Sequence, residues 1–114
     1  MEETMTKKYA DVNEGDVKKI LEVFLGKGAA SQVSINDKVI ELTWDMLASS
    51  KECSKAMNFV PRPQGLAATP AYIAKELAGI AYRLSSNKDA IYHVCKVAAE
   101  AGYSSRIKLA GMGL

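Results

Sequence analysis

Residues 69–102, TPAYIAKELAGIAYRLSSNKDAIYHVCKVAAEAG, carry the clearest punctuation in the chain and decide its fold class. Thr69 can accept hydrogen bonds from the free amides of a first helical turn. Pro70 follows where a missing N–H costs nothing and a fixed φ already suits a helix. Ile73, Leu77, Ile80 and Leu84 then recur at spacings of four, three and four, one apolar stripe at helical period. Ala71, Ala74, Ala78 and Ala81 form a second stripe, with Gly79 beside it. Glycine costs about 1 kcal/mol relative to alanine inside a helix, so close backbone packing is the expected reason for Gly79. Ser85-Ser86-Asn87 ends this helix and opens the next, with Ser86 and Asp89 in capping-box spacing. Ile91, Val94, Cys95, Ala98 and Ala101 mark the second helix's buried face, and Gly102 stands where a left-handed cap is expected. So short a connection predicts an antiparallel pair.

The rest of the chain reads in the same idiom. Residues 1–12 are polar and aperiodic and predict a loose N-terminal tail. Asn13 or Asp11 caps a helix in which Val17, Ile20, Leu21 and Phe24 share a face, and Gly26 ends it. Gly26-Lys27-Gly28 reads as a loop. It lacks the Ser or Thr after Gly-Lys, and the preceding strand, that a phosphate loop needs. Residues 32–40 admit a short β-hairpin about Asn36-Asp37. A helix capped by Ser34 is favoured, because Ile35, Val39, Leu42 and Met46 extend one stripe beyond a hairpin's reach. Ser49 and Glu52 form a capping box for a short helix from Ser50 to about Asn58. Trp44, the single tryptophan, is expected to anchor the core. Val60-Pro61-Arg62-Pro63-Gln64-Gly65 excludes helix and reads as a hinge at 60–65, and Pro-Arg-Pro is also a conceivable ligand for a proline-reading module. The expected architecture is all-α: one domain over 13–110 with five or six helices, followed by a frayed end at 111–114.

A chain of 114 residues is one domain's worth, and it buries enough surface to fold without disulfides or metal. Cys53 and Cys95 are the two cysteines; both fall on apolar helix faces and read as free thiols in a reducing compartment. Met1-Glu2-Glu3-Thr4-Met5 is not a signal peptide, and no apolar run approaches membrane-spanning length. These features together predict a cytoplasmic protein. The net charge of +2 is unevenly divided: residues 1–50 carry −3 and residues 51–114 carry +5. That division predicts a basic surface on the C-terminal half, and it also permits head-to-tail contact between copies as a homo-oligomer.

Catalytic chemistry is not legible. His93 is the single histidine, and with Cys95 two residues away it points elsewhere on a helix. One histidine and two cysteines are too few for a closed zinc site. No nucleotide loop, His-Glu-x-x-His or paired-carboxylate motif is present. The expectation is a protein without enzyme activity, metal or cofactor.

Val97-Ala98-Ala99-Glu100-Ala101-Gly102-Tyr103-Ser104 resembles the second helix and turn of a helix-turn-helix motif. The resemblance implies that Ala98 lets two helices touch and Gly102 makes the turn. Ser105-Arg106-Ile107-Lys108-Leu109-Ala110 would then form a recognition helix, cut short by Gly111 and Gly113. Independently, Tyr92, Lys96 and Tyr103 fall on one helical line, with Arg106 and Lys108 beyond. Cations beside aromatic rings suit phosphate and base contacts. Two functions follow as expectations. One is an accessory subunit that binds nucleic acid or a ribonucleoprotein through these five residues. The other is a protein-binding module or inhibitor, of the type small phage or plasmid genes encode, that occludes an acidic partner surface.

Overall fold

The computed structural model describes residues 8–58 and 68–112; the Pro-rich stretch at 60–65 lies outside them. The fold is all-α. Among the described residues seven helices run in order: α1 (Glu14–Leu25), α2 (Lys27–Ser31), α3 (Asp37–Ala48), α4 (Lys51–Ala56), α5 (Pro70–Leu84), α6 (Lys88–Glu100) and α7 (Tyr103–Gly111). No β-hairpin forms at 32–40, because Asp37 already opens α3. The helix missed in the sequence is α2. Gly26 takes φ 89° and breaks α1 after Leu25, and the chain turns directly into a short Ala-containing helix instead of a loop.

α6 is the most widely shared helix, packing on α1, α3, α4, α5 and α7, and α1 forms the second hub. Val17, Ile20 and Leu21 of α1 are fully buried, and α2, α5 and α6 all pack on that helix. The stripe Ile73, Leu77, Ile80, Leu84 of α5 is buried as its period requires. That stripe faces α1 more than α6, so residues 69–102 form two helices laid on a third and not a self-contained pair. The inner face of α6 is Ala90, Val94 and Ala98; Ile91 and Cys95 are half-buried and Ala101 is exposed. Trp44 is fully buried and meets Tyr72 of α5 edge-to-face, with ring centroids 5.7 Å apart. Tyr9 and Val12 also enter the core, so residues 8–12 are not loose; Lys8 adds an ion pair to Glu41 at 3.6 Å.

The caps differ from expectation in an instructive way. Thr69 and Asn13 cap α5 and α1 as predicted. For α3, α4 and α6 the caps are Asn36, Ser50 and Asn87, each one or two residues beyond the predicted Ser34, Ser49 and Ser86. The asparagines do what a serine there would not. Asn36 Oδ1 accepts from the Val39 amide while its Nδ2 donates to the Ala110 carbonyl at 3.1 Å. Asn87 Oδ1 accepts from Ala90 while Nδ2 donates to the Ala56 carbonyl at 3.0 Å. Each side chain thus satisfies an orphan donor at one helix start and an orphan acceptor at another helix's end.

The two internal glycines exchange roles. A Cβ on Gly79 would meet nothing, so close packing within this chain is not its reason. Gly111, expected in a frayed end, is buried: a Cβ there would sit 3.2 Å from the Ser34 carbonyl oxygen and collide with Val33 Cγ1. The Ser34 amide donates to the Gly111 carbonyl at 2.9 Å, which seals this contact.

Leu77→Ala is expected to lower stability by about 2–5 kcal/mol, as core truncations do; a urea-unfolding loss under about 0.5 kcal/mol would contradict its burial. Gly111→Ala should lower stability by about 1–3 kcal/mol through overpacking, while Gly79→Ala should raise it by up to about 1 kcal/mol. Opposite signs in paired denaturation curves check both.

Candidate functional site

Gly102 positions the C-terminal surface. It takes φ 73° and ψ 16°, a left-handed conformation that separates the end of α6 at Glu100 from the start of α7 at Tyr103. Ala98 before the turn and Ile107 after it are both fully buried. Gly102 makes the turn between the two helices, as the helix-turn-helix resemblance implied for it. α7 departs from that pattern: it begins at Tyr103, not Ser105, and its end is pinned at Gly111.

The predicted line of Tyr92, Lys96 and Tyr103 is broken by this turn, since Tyr103 belongs to α7. Two pairs replace it. On α6, Lys96 Nζ lies 5.9 Å from the Tyr92 ring centroid, and Tyr92 is 60% exposed. On α7, Arg106 Cζ lies 4.7 Å from the Tyr103 ring centroid. Both are cation–π distances, four and three residues apart on their helices. Lys96 and Arg106 are exposed; Tyr103 and Lys108 are half-buried.

Acidic groups of α3 stand close to α7. Burial, then the neighbouring charge of Glu41, pushes the Asp45 carboxyl above the usual carboxylate range; Lys38 and Arg106 pull it back. Arg106 therefore feels an acidic neighbour on its own protein.

Other exposed groups were not singled out from sequence. Tyr82 is 79% exposed on α5, Leu109 is 51% exposed on α7 and Met112, the C-cap of α7, is 43% exposed. The signal for the α7 pair was present: once Gly102 restarts the helical phase and Ile107 turns inward, positions 109 and 112 must turn outward.

Burial pushes the Cys53 thiol up to about 12, and it pushes the Cys95 thiol up as well. Cys95 Sγ donates to the Val23 carbonyl at 3.4 Å, an α6–α1 contact. Both cysteines are free, and no cluster of three or more His, Cys, Asp or Glu among the described residues could hold a metal ion. No helix among the described residues is long and apolar enough to cross a membrane.

Compared with known proteins, the chain matches no family model, no curated protein and no solved structure.

Asp45→Asn gives a signed test of the α3–α7 electrostatics. A carboxyl whose folded pKa lies above its unfolded value contributes stability at low pH, and that contribution is lost as pH rises through the folded value. The variant should therefore be more stable than wild type near pH 7, with the difference fading below about pH 4. Thermal melts across this range check it. A less stable variant at neutral pH would mean that attraction to Arg106 outweighs burial.

Proposed function

We propose that this chain is a non-enzymatic accessory protein that binds nucleic acid, alone or within a ribonucleoprotein, through α6 and α7. The observation that carries the reading is the pair of cation-over-tyrosine contacts on consecutive helices, Tyr92 with Lys96 and Tyr103 with Arg106. Rings beside cations can stack bases while the cations neutralise phosphates. Lys108 in the last turn of α7 adds a third positive group. The +5 excess over residues 51–114 supplies the longer-range attraction.

A second reading, a protein-binding module or inhibitor acting on an acidic surface, draws on a different observation. Leu109 on α7 and Met112 at its C-cap lie three residues apart and exposed, close in sequence to Arg106. Apolar groups beside arginine and tyrosine are typical of protein contacts.

Lys96→Ala, Arg106→Ala and Lys108→Ala combined should leave the circular dichroism spectrum unchanged and weaken nucleic-acid binding. Losing three phosphate contacts on a single strand should flatten the slope of log affinity against log salt by about 2. Wild-type binding with no salt dependence, relieved instead by Leu109→Ser with Met112→Ser, would favour the protein-binding reading. Unchanged affinity in the triple variant at physiological salt would remove this surface from consideration.

A further inference from the structure

A groove of about 440 Å³ runs between the start of α4 and the outer face of α6. Lys51 and Glu52 stand on one wall; His93, Lys96 and Glu100 stand on the other, with Val97 between them. Its size lies in the range of about 300–1,000 Å³ that small-molecule sites occupy. Charges of both signs face it, and among the described residues these groups form no ion pair with one another. The groove is also continuous with the exposed α6 surface. Lys96 lines it and at the same time lies over the Tyr92 ring, and Tyr92 meets His93 edge-to-face at 5.2 Å.

We propose that this groove holds one nucleotide of a single strand and prefers a base that carries an exocyclic amino group. The proposal rests on the nucleic-acid reading and deepens it. A surface that only followed a duplex backbone would be cationic throughout, because carboxylates repel phosphates. Glu52, which also suits the first turn of α4, and Glu100 sit among the lysines, and a carboxylate's favourable partner on a nucleic acid is the amino group of cytosine, adenine or guanine. Lys51 and Lys96 take the flanking phosphates. His93 within the groove, and Tyr92 beside it, offer ring faces or edges to an unstacked base. Stacking needs a base taken out of a duplex, so the ligand is single-stranded. Thymine and uracil carry carbonyl oxygens and no exocyclic amino group, so the two carboxylates disfavour them.

The test uses the full chain and fluorescein-labelled DNA of about 12 nucleotides, within the span that single-strand binders cover. Oligo(dC), oligo(dT) and a mixed-sequence duplex are titrated by anisotropy. Oligo(dC) is expected to bind at least about fivefold more tightly than oligo(dT), as one good base-edge contact allows, and both more tightly than the duplex. Glu52→Ala with Glu100→Ala should abolish the preference for oligo(dC). The same variant should bind oligo(dT) more tightly, since two negative charges leave the surface. A merely structural role for these carboxylates would not move affinity and preference in opposite directions. Lys51→Ala, at an exposed position, should reduce the single-strand salt slope by about 0.7. Tighter binding of duplex, or an oligo(dC) preference absent from wild type or intact in the double variant, overturns the groove and leaves the nucleic-acid reading standing. No binding of any of the three probes at low salt overturns both.

Discussion

The approach of Gly111 to the backbone at Val33 and Ser34 is the constraint on which the C-terminal surface depends. No side chain could stand between them, and the Ser34–Gly111 and Asn36–Ala110 hydrogen bonds close the contact on both sides. These bonds join segments more than 70 residues apart in the chain. α7 is thereby held at both ends, at Gly102 by a left-handed turn and at Gly111 by this seam. With the ends fixed, Ile107 must face inward, and the rotation of Arg106, Leu109 and Met112 toward solvent follows from helix geometry. A nine-residue helix would be marginal alone. Here the seam and the buried Ile107 supply what local propensity cannot.

The same seam brings the two electrical halves of the chain together. α3 carries Glu41 and Asp45, four residues apart on one helix face, an arrangement that is repulsive by itself. Lys8 answers Glu41 directly, and Arg106 acts on Asp45 from α7. Part of the sequence's charge asymmetry is thus used within the fold. Arg106 is partly compensated within the fold, whereas Lys51 on α4 and Lys96 on α6 form no ion pair among the described residues. The net +5 of residues 51–114 overstates the field an external polyanion would meet.

The apolar periodicity of the sequence was enough to read the fold class and most of its helices. Val17, Ile20, Leu21, Ile73, Leu77 and Ile80 are all buried, as their spacing requires. Cap positions were less legible for a chemical reason. Serine, asparagine and aspartate can each cap, so the runs before α3 and α6 offer several registers. The choice falls to the residue whose second polar arm finds a distant carbonyl, a tertiary fact. Glycine was misread for the same reason. Gly79 lies in a helical stripe that suggests close packing and Gly111 in a terminal stretch that suggests fraying; open space at the first and Val33 beside the second reverse both readings. Tyr9 was assigned to a tail because a lone aromatic in a polar stretch has no period to reveal its burial. Of the candidate site, the residue types were visible but their grouping was not. A left-handed Gly102 resets helical phase, and a line drawn through it joins residues of two different helices.

Pairing within each helix bears on how the surface would work. A cation over a tyrosine at an exposed site is worth about 0.5–1 kcal/mol. A base stacked on the same ring is worth about 1–3 kcal/mol. Replacing the first with the second is therefore favourable, and the displaced lysine or arginine is already within reach of the phosphate that accompanies the base. In the unbound protein the pairs hold the long side chains near their rings, which reduces the side-chain entropy lost on binding. The two pairs are unequal in this respect. Tyr92 is 60% exposed and borders the α4–α6 groove through His93 and Lys96, whereas Tyr103 is half-buried and its arginine stands in the field of Asp45. Stacking should therefore be stronger at Tyr92, with the α7 pair contributing mainly charge. Under the proposed function, the α6 face would set preference among ligands, and Lys96 on α6 and Arg106 on α7 would both contribute to the salt dependence of binding.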